Sequence, residues 1–285
     1  MLAAAQALVD DIGDLVSLPE LVLRINEKVN SDNSSAAEIG ELISQDPALT
    51  TRLLRVANSP MYAKSGKIES VQRAVTILGI RQIRDLILSA SAAKVFTGIP
   101  NDIISVQDFW HHSLYCALLA RSLASHSRGV NPETVFTAGM LHDIGQLVIF
   151  NRLPEQAHAV ILRTVQGEAN LDMVQAENEI LGYDHCEVGA SLAHQWHLPE
   201  ILVECIACHH DLSRVRLFPA AVAHIHIANA IASLPYSDIP DSEDLHRVSS
   251  AAWVMAGLSA DDLGEAIKEA QDCYAQTRDA LFGQA

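Results

Sequence analysis

Residues 105–147 read SVQDFWHHSLYCALLARSLASHSRGVNPETVFTAGMLHDIGQL, two apolar helical runs that end on a histidine–aspartate doublet. From Ser105 to Ser127 apolar side chains recur every three or four positions, which predicts one long helix. Asn131-Pro132 opens the next, with a capping side chain followed by proline in the first turn. That helix runs into His142-Asp143. Neighbours on a regular helix point about 100° apart, so this doublet can serve one ion only at a helix end or a bend. Gly145 permits such a bend.

The same periodicity extends outward in both directions. Downstream it predicts helices near residues 154–167, 171–181, 184–196, 199–210 and 219–234, then a last helical stretch at about 243–282. Upstream, Ser35 and Glu38 form a capping-box pattern, Asp46-Pro47 starts a helix, and Gly79 ends one. No stretch alternates with a period of two, so the expected class is all-α. Thr97-Gly98-Ile99-Pro100-Asn101 interrupts the pattern and marks a boundary. The expected organisation is an N-terminal helical bundle (1–97), a histidine-bearing helical core (98–240) and a C-terminal helical extension (241–285).

Composition narrows the function. The 285 residues are 49% apolar and 19% charged, enough for a large core. Lys and Arg number 19 against 35 Asp and Glu, a formal charge of −16. Such a chain repels phosphate backbones, so DNA is not an expected partner. A small basic patch could still bind one nucleotide or another small ligand. No apolar run approaches a membrane span, and the acidic N-terminus reads as a helix start rather than a signal peptide. Five cysteines fit a reducing, cytoplasmic setting better than a disulfide scaffold.

All thirteen histidines lie at or beyond position 111. His112, His142, His185, His209 and His210, with Asp143, sit in otherwise apolar helices. A lone histidine there is usually a core residue with a satisfied ring. Six ligand-type residues spread over several helices are harder to dismiss, because each buried imidazole without a partner costs desolvation. Imidazole with carboxylate suits one or two divalent ions (Fe, Mn, Zn or Ni), and a carboxylate can bridge a pair.

LHDIGQL (141–147) and GYDHCEVGASLAHQWHLPEILVECIACHH (182–210) closely resemble the HDOD family, a branch of the HD phosphohydrolase superfamily. SLPELVLRINEKVN, LISQDPALTTRLLRVANSPMY and SVQRAVTILGIRQIRDLIL resemble the helical region that sets HDOD proteins apart. The resemblance spans residues 15–235. It implies an N-terminal bundle packed on an HD-like core, and a signalling or regulatory module, often the output of a response regulator. It places metal ligands at His112 (His111 as rival), His142, Asp143, His185, His209 and His210. The late aspartate that closes active HD sites falls on Asn229, with His226 one turn earlier as a substitute. Where HD-GYP phosphodiesterases carry lysine this chain has Gln146, and it lacks their Gly-Tyr-Pro signature.

Other signals are weaker. Cys205-Ile-Ala-Cys208-His209 matches a haem-attachment pattern, but that chemistry needs export; the two cysteines read as a buried helix face and no haem is expected. Arg52, Arg55, Arg73, Arg81 and Arg84 read as solvated faces. Trp110, Trp196 and Trp253 read as core or interface anchors. The tail, with Leu263, Ile267, Ala270 and Tyr274, could pack back on the core or form a homodimer contact. The favoured function is regulation through protein contact in a signalling pathway. The alternatives are a metal-dependent phosphohydrolase and a metal-loaded ligand or redox sensor.

Overall fold

A computed structural model describes residues 2–12, 18–31, 35–65, 67–96, 105–166, 172–234, 240–241 and 244–283. The chain is all-α, and no strand occurs among the described residues. The first helices are α1 (Leu2–Ile12), α2 (Glu20–Asn30), α3 (Ala36–Ser44), α4 (Pro47–Ala57), α5 (Val71–Leu78) and α6 (Ile80–Val95). The second half holds α7 (Val106–His126), α8 (Pro132–Leu141), α9 (Ile144–Arg152), α10 (Pro154–Gln166) and α11 (Met173–Leu181). After them come α12 (His185–Gln195), α13 (Glu200–Cys208), α14 (Pro219–Ala232), α15 (Ser250–Ala256) and α16 (Leu263–Phe282). The expected boundary at 97–104 lies outside the described residues.

Local chemistry sets these helices. Ser35 and Glu38 close the capping box of α3, the Ser35 hydroxyl accepting from the Glu38 amide at 3.2 Å. The Asp46 carboxylate accepts from the amides of Ala48 and Leu49, and the Asn131 side chain accepts from that of Glu133. Such a cap typically contributes about 1 kcal/mol. Gly79 ends α5 at φ +87°, a conformation other residues adopt only with strain. The stretch expected at 243–282 is not one continuous helix. Gly257, left-handed at φ +66°, ends α15, and 3₁₀ turns flank it at Asp244–Arg247 and Ala260–Asp262.

α7 is the axis of the second half and packs on α8, α14 and α16. Its interior face buries Leu114, Cys116, Ala117 and Leu119. α6 packs on α8 as well as on α2, α4 and α5, and α1 packs on α12 and α9 of the second half. α16 folds back over α7 and reaches α4, burying Leu263, Ile267 and Ala270. Trp110 and Trp196 are core residues, while Trp253 is half-buried. Arg84 departs from the expected solvated face: it is buried and paired with Asp85 at 2.6 Å.

Two glycines set the distances on which the site depends. A Cβ on Gly139 of α8 would stand 2.6 Å from the Ala117 Cα of α7. A Cβ on Gly145 of α9 would stand 2.0 Å from the His185 carbonyl oxygen and 2.6 Å from the Gly189 nitrogen of α12. The break that the doublet needs falls at His142-Asp143, and Gly145 lies just inside α9 with a further role. It lets α9 and α12 touch backbone to backbone, which brings His185 beside Asp143.

Candidate metal centre

The doublet lies at the joint between α8 and α9. His142 caps the end of α8, and Asp143, at φ −99° and ψ 11°, precedes the first turn of α9. This change of direction lets both side chains face the same interior point. α12 contributes His185 from its first residue. α13 ends at Cys208 and delivers His209 and His210 from its C-terminus, and α7 delivers His112.

Asp143 lies at the centre. Its Oδ1 stands 3.3 Å from Nε2 of His185 and 3.3 Å from Nε2 of His209. Its Oδ2 stands 3.0 Å from Nε2 of His142 and 3.7 Å from Nε2 of His112. Donor atoms of Asp143, His185, His209 and His210 lie within 4.8 Å of one another, and so do those of His112, His142 and Asp143. Two ligand sets thus share one carboxylate. The rings of His142 and His209 lie 4.9 Å apart, which bridges the sets.

The outer nitrogens are committed. His142 Nδ1–H donates to the Gly139 carbonyl at 2.7 Å, and His209 Nδ1–H donates to the Ile206 carbonyl at 2.9 Å. His185 Nδ1–H donates to the Glu177 carboxylate at 2.6 Å, and the His185 backbone amide donates to the same oxygen at 2.9 Å. In the neutral ring a proton on Nδ1 leaves Nε2 with a bare lone pair. Nε2 of His142, His185 and His209, together with Oδ1 of Asp143, are buried with no hydrogen-bond partner. Lone pairs then face lone pairs, and a positive charge between them, a proton or a metal ion, removes the repulsion. Leaving four such atoms bare costs about 1–3 kcal/mol each, a large share of a net stability of roughly 5–15 kcal/mol. These donors fit a divalent ion.

Electrostatics agrees. Burial alone would raise Asp143, yet His142 and contacts from His185 and His209 hold it well below the usual carboxylate range. Burial also opposes charge on His209, but Cys186 and Asp143 lift it to about 10. A site without metal therefore draws protons to the places a cation would take.

The remaining candidates divide. His112, not His111, faces the centre; the His111 ring lies 6.2 Å from that of Tyr274 on α16. Asn229 of α14 is at the centre, its Oδ1 3.0 Å from Nε2 of His112. His226 is not available as a closing ligand. Its Nδ1–H donates to the His209 carbonyl at 2.7 Å, and its Nε2 accepts from the Ser249 amide at 3.1 Å. Cys205 and Cys208 are buried on α13, as a helix face would be. Sequence reasoning missed Glu177, which is 2% exposed and orients His185. The one available signal was the left-handed Gly182 followed by Asp184, the turn that sets Glu177 beside His185.

Comparison with known proteins settles the family. The HDOD domain model matches residues 15–212. The chain belongs to the HDOD family. An HDOD domain protein of unknown function from Geobacter sulfurreducens is similar over its whole length: 27% identical, TM-score 0.79, with 98% of this chain and 97% of that one covered. A "putative phosphohydrolase" from Shewanella amazonensis SB2B is 29% identical at TM-score 0.76, with 99% and 98% covered. An uncharacterised protein of Treponema pallidum (strain Nichols) is 27% identical over 245 residues, 84% of this chain. The chain spans about half the length of that relative, 47%. No helix among the described residues is long and apolar enough to cross a membrane.

Proposed function

We propose that this HDOD protein is a metal-loaded signalling module that acts by protein contact and does not hydrolyse cyclic dinucleotides. The observation that carries the metal is the set of bare, buried Nε2 atoms around Asp143. His185, His209, His210 and Asp143 would hold the better-bound ion. His112 and His142, with the shared Asp143, form the poorer set. The centre has one carboxylate in contact with both sets, and Asn229 adds no charge. Two dications would leave a large uncompensated charge, so one ion is favoured.

When bound, such a metal can polarise an oxygen ligand or activate water. The chain's own residues do the rest: Glu177, Gly139 and Ile206 fix the rings, and α7, α8, α12 and α13 exclude water from the buried side. Gln146 and Asn229, where related enzymes carry lysine and aspartate, support regulation over catalysis. Titration with Mn²⁺ by calorimetry tests this reading. Saturable binding lost in Asp143→Ala, with no turnover of cyclic di-GMP by the loaded protein, is the expected result. Absence of binding contradicts the metal, and turnover contradicts the regulatory role.

The phosphohydrolase reading keeps one specific observation in its favour. A cavity of about 680 Å³ reaches His209, His210 and Asn229 from the surface. Hydrolysis of a generic phosphomonoester, lost in Asp143→Ala, would establish it.

A further inference from the structure

The same cavity is also lined by Arg247. This residue ends the 3₁₀ turn Asp244–Arg247, beyond the part of the chain that the family model matches. It is exposed, and it is the single Lys or Arg among the lining residues. The single carboxylate there, Asp172, already accepts the Gln175 amide at 2.7 Å as the cap of α11. The other polar side chains lining it are neutral hydroxyls and an amide, from Thr164, Ser233 and Asn229, and histidines.

The turn is tied to the metal centre through one side chain. Ser249, two residues after Arg247, donates its amide to Nε2 of His226, and His226 donates Nδ1–H to the carbonyl of His209. His226, which sequence reading offered as a ligand, is instead the strut that fixes the Arg247 turn against a ligand-bearing residue.

We propose that Arg247 is the anion-binding residue of this cavity, holding a phosphoryl group whose other oxygens face the histidine centre. The inference rests on the metal reading given above. A guanidinium suits this task because its planar fork meets two oxygens of a tetrahedral anion at once. A phosphoryl group has oxygens to spare for a second cation. In a chain of net charge −16, a guanidinium beside the cavity offsets part of the repulsion an anion meets there.

The test uses the full chain and inorganic phosphate. Mn²⁺ affinity is measured first, then phosphate binding to the Mn²⁺-loaded protein, both by calorimetry. Arg247→Ala should weaken phosphate binding by about tenfold or more and leave Mn²⁺ affinity unchanged, since the guanidinium is not a metal ligand. Arg247→Lys should fall between, keeping the charge without the fork. Arg55→Ala removes the same charge from a separate cavity and should match the wild type. A wild-type protein that takes up no Mn²⁺ overturns the metal reading and this proposal with it. Mn²⁺ uptake without phosphate binding, or with equal phosphate binding in Arg247→Ala, overturns this proposal alone.

Discussion

The two sides of Asp143 are built differently. On the Oδ1 side, His185 and His209 are fully buried and each is fixed by an acceptor at its outer nitrogen, one of them the Glu177 carboxylate. On the Oδ2 side, His142 is fixed in the same way, but His112 is a quarter exposed and its Nε2 meets the neutral Asn229. Fixed, charge-supported imidazoles make better ligands than a partly solvated ring beside an amide. One carboxylate with unequal flanks should produce unequal affinities, one strong position and one weak or empty.

Gly145→Ala should break both sides at once. The added methyl would fall on the backbone of His185 and Gly189, which cannot yield as a flexible side chain can. The cost should reach at least the upper end of the roughly 1–3 kcal/mol of ordinary overpacking. Differential scanning calorimetry should show a Tm drop on the order of 5–10 °C, and metal uptake should be lost.

Glu177→Gln should damage the Oδ1 side selectively. Losing the charge behind His185 should weaken the strong position by about 10–100-fold, the usual consequence of removing such a supporting carboxylate. His112→Ala should leave that position close to the wild-type affinity. Mn²⁺ titration of both variants checks the contrast, and equal losses would erase the proposed asymmetry.

Asn229→Asp should sharpen the comparison from the other direction. A charged oxygen beside His112 should tighten the weak side by a few-fold or more and favour a second ion. His142→Ala in the same background should cancel the gain. The smallest effect is expected at Gly264 of α16, where an added Cβ meets no atom within 4 Å. Gly264→Ala should stabilise the fold by up to about 0.5–1 kcal/mol in thermal unfolding, with metal binding unchanged.

Much of this was legible in the sequence, for physical reasons that differ by residue. Capping side chains act within three or four residues, so Ser35, Asp46 and Asn131 announced their helices directly. The clustering of the candidate histidines was legible because each is a polar residue in an apolar helix and because the blocks around 141–147 and 182–210 match the HDOD pattern. Glu177 was not, since a glutamate on an amphipathic helix looks solvated until the turn at Gly182 sets it beside His185. His226 misled because its ring partners, the His209 carbonyl and the Ser249 amide, are backbone groups 17 and 23 residues away. The contact of Gly145 with α12 went unread because helix proximity leaves no local mark. Gly257 was passed over because its neighbours on both sides keep helical spacing.

If Asp143 organises an asymmetric metal centre, the chain carries its metal on purification. Elemental analysis of the full chain purified without chelator, alongside Asp143→Asn, tests it most directly. The expected result is a single equivalent of divalent metal per chain in the wild type and none in the variant. A wild-type protein free of metal, or a variant that keeps its full equivalent, would contradict it.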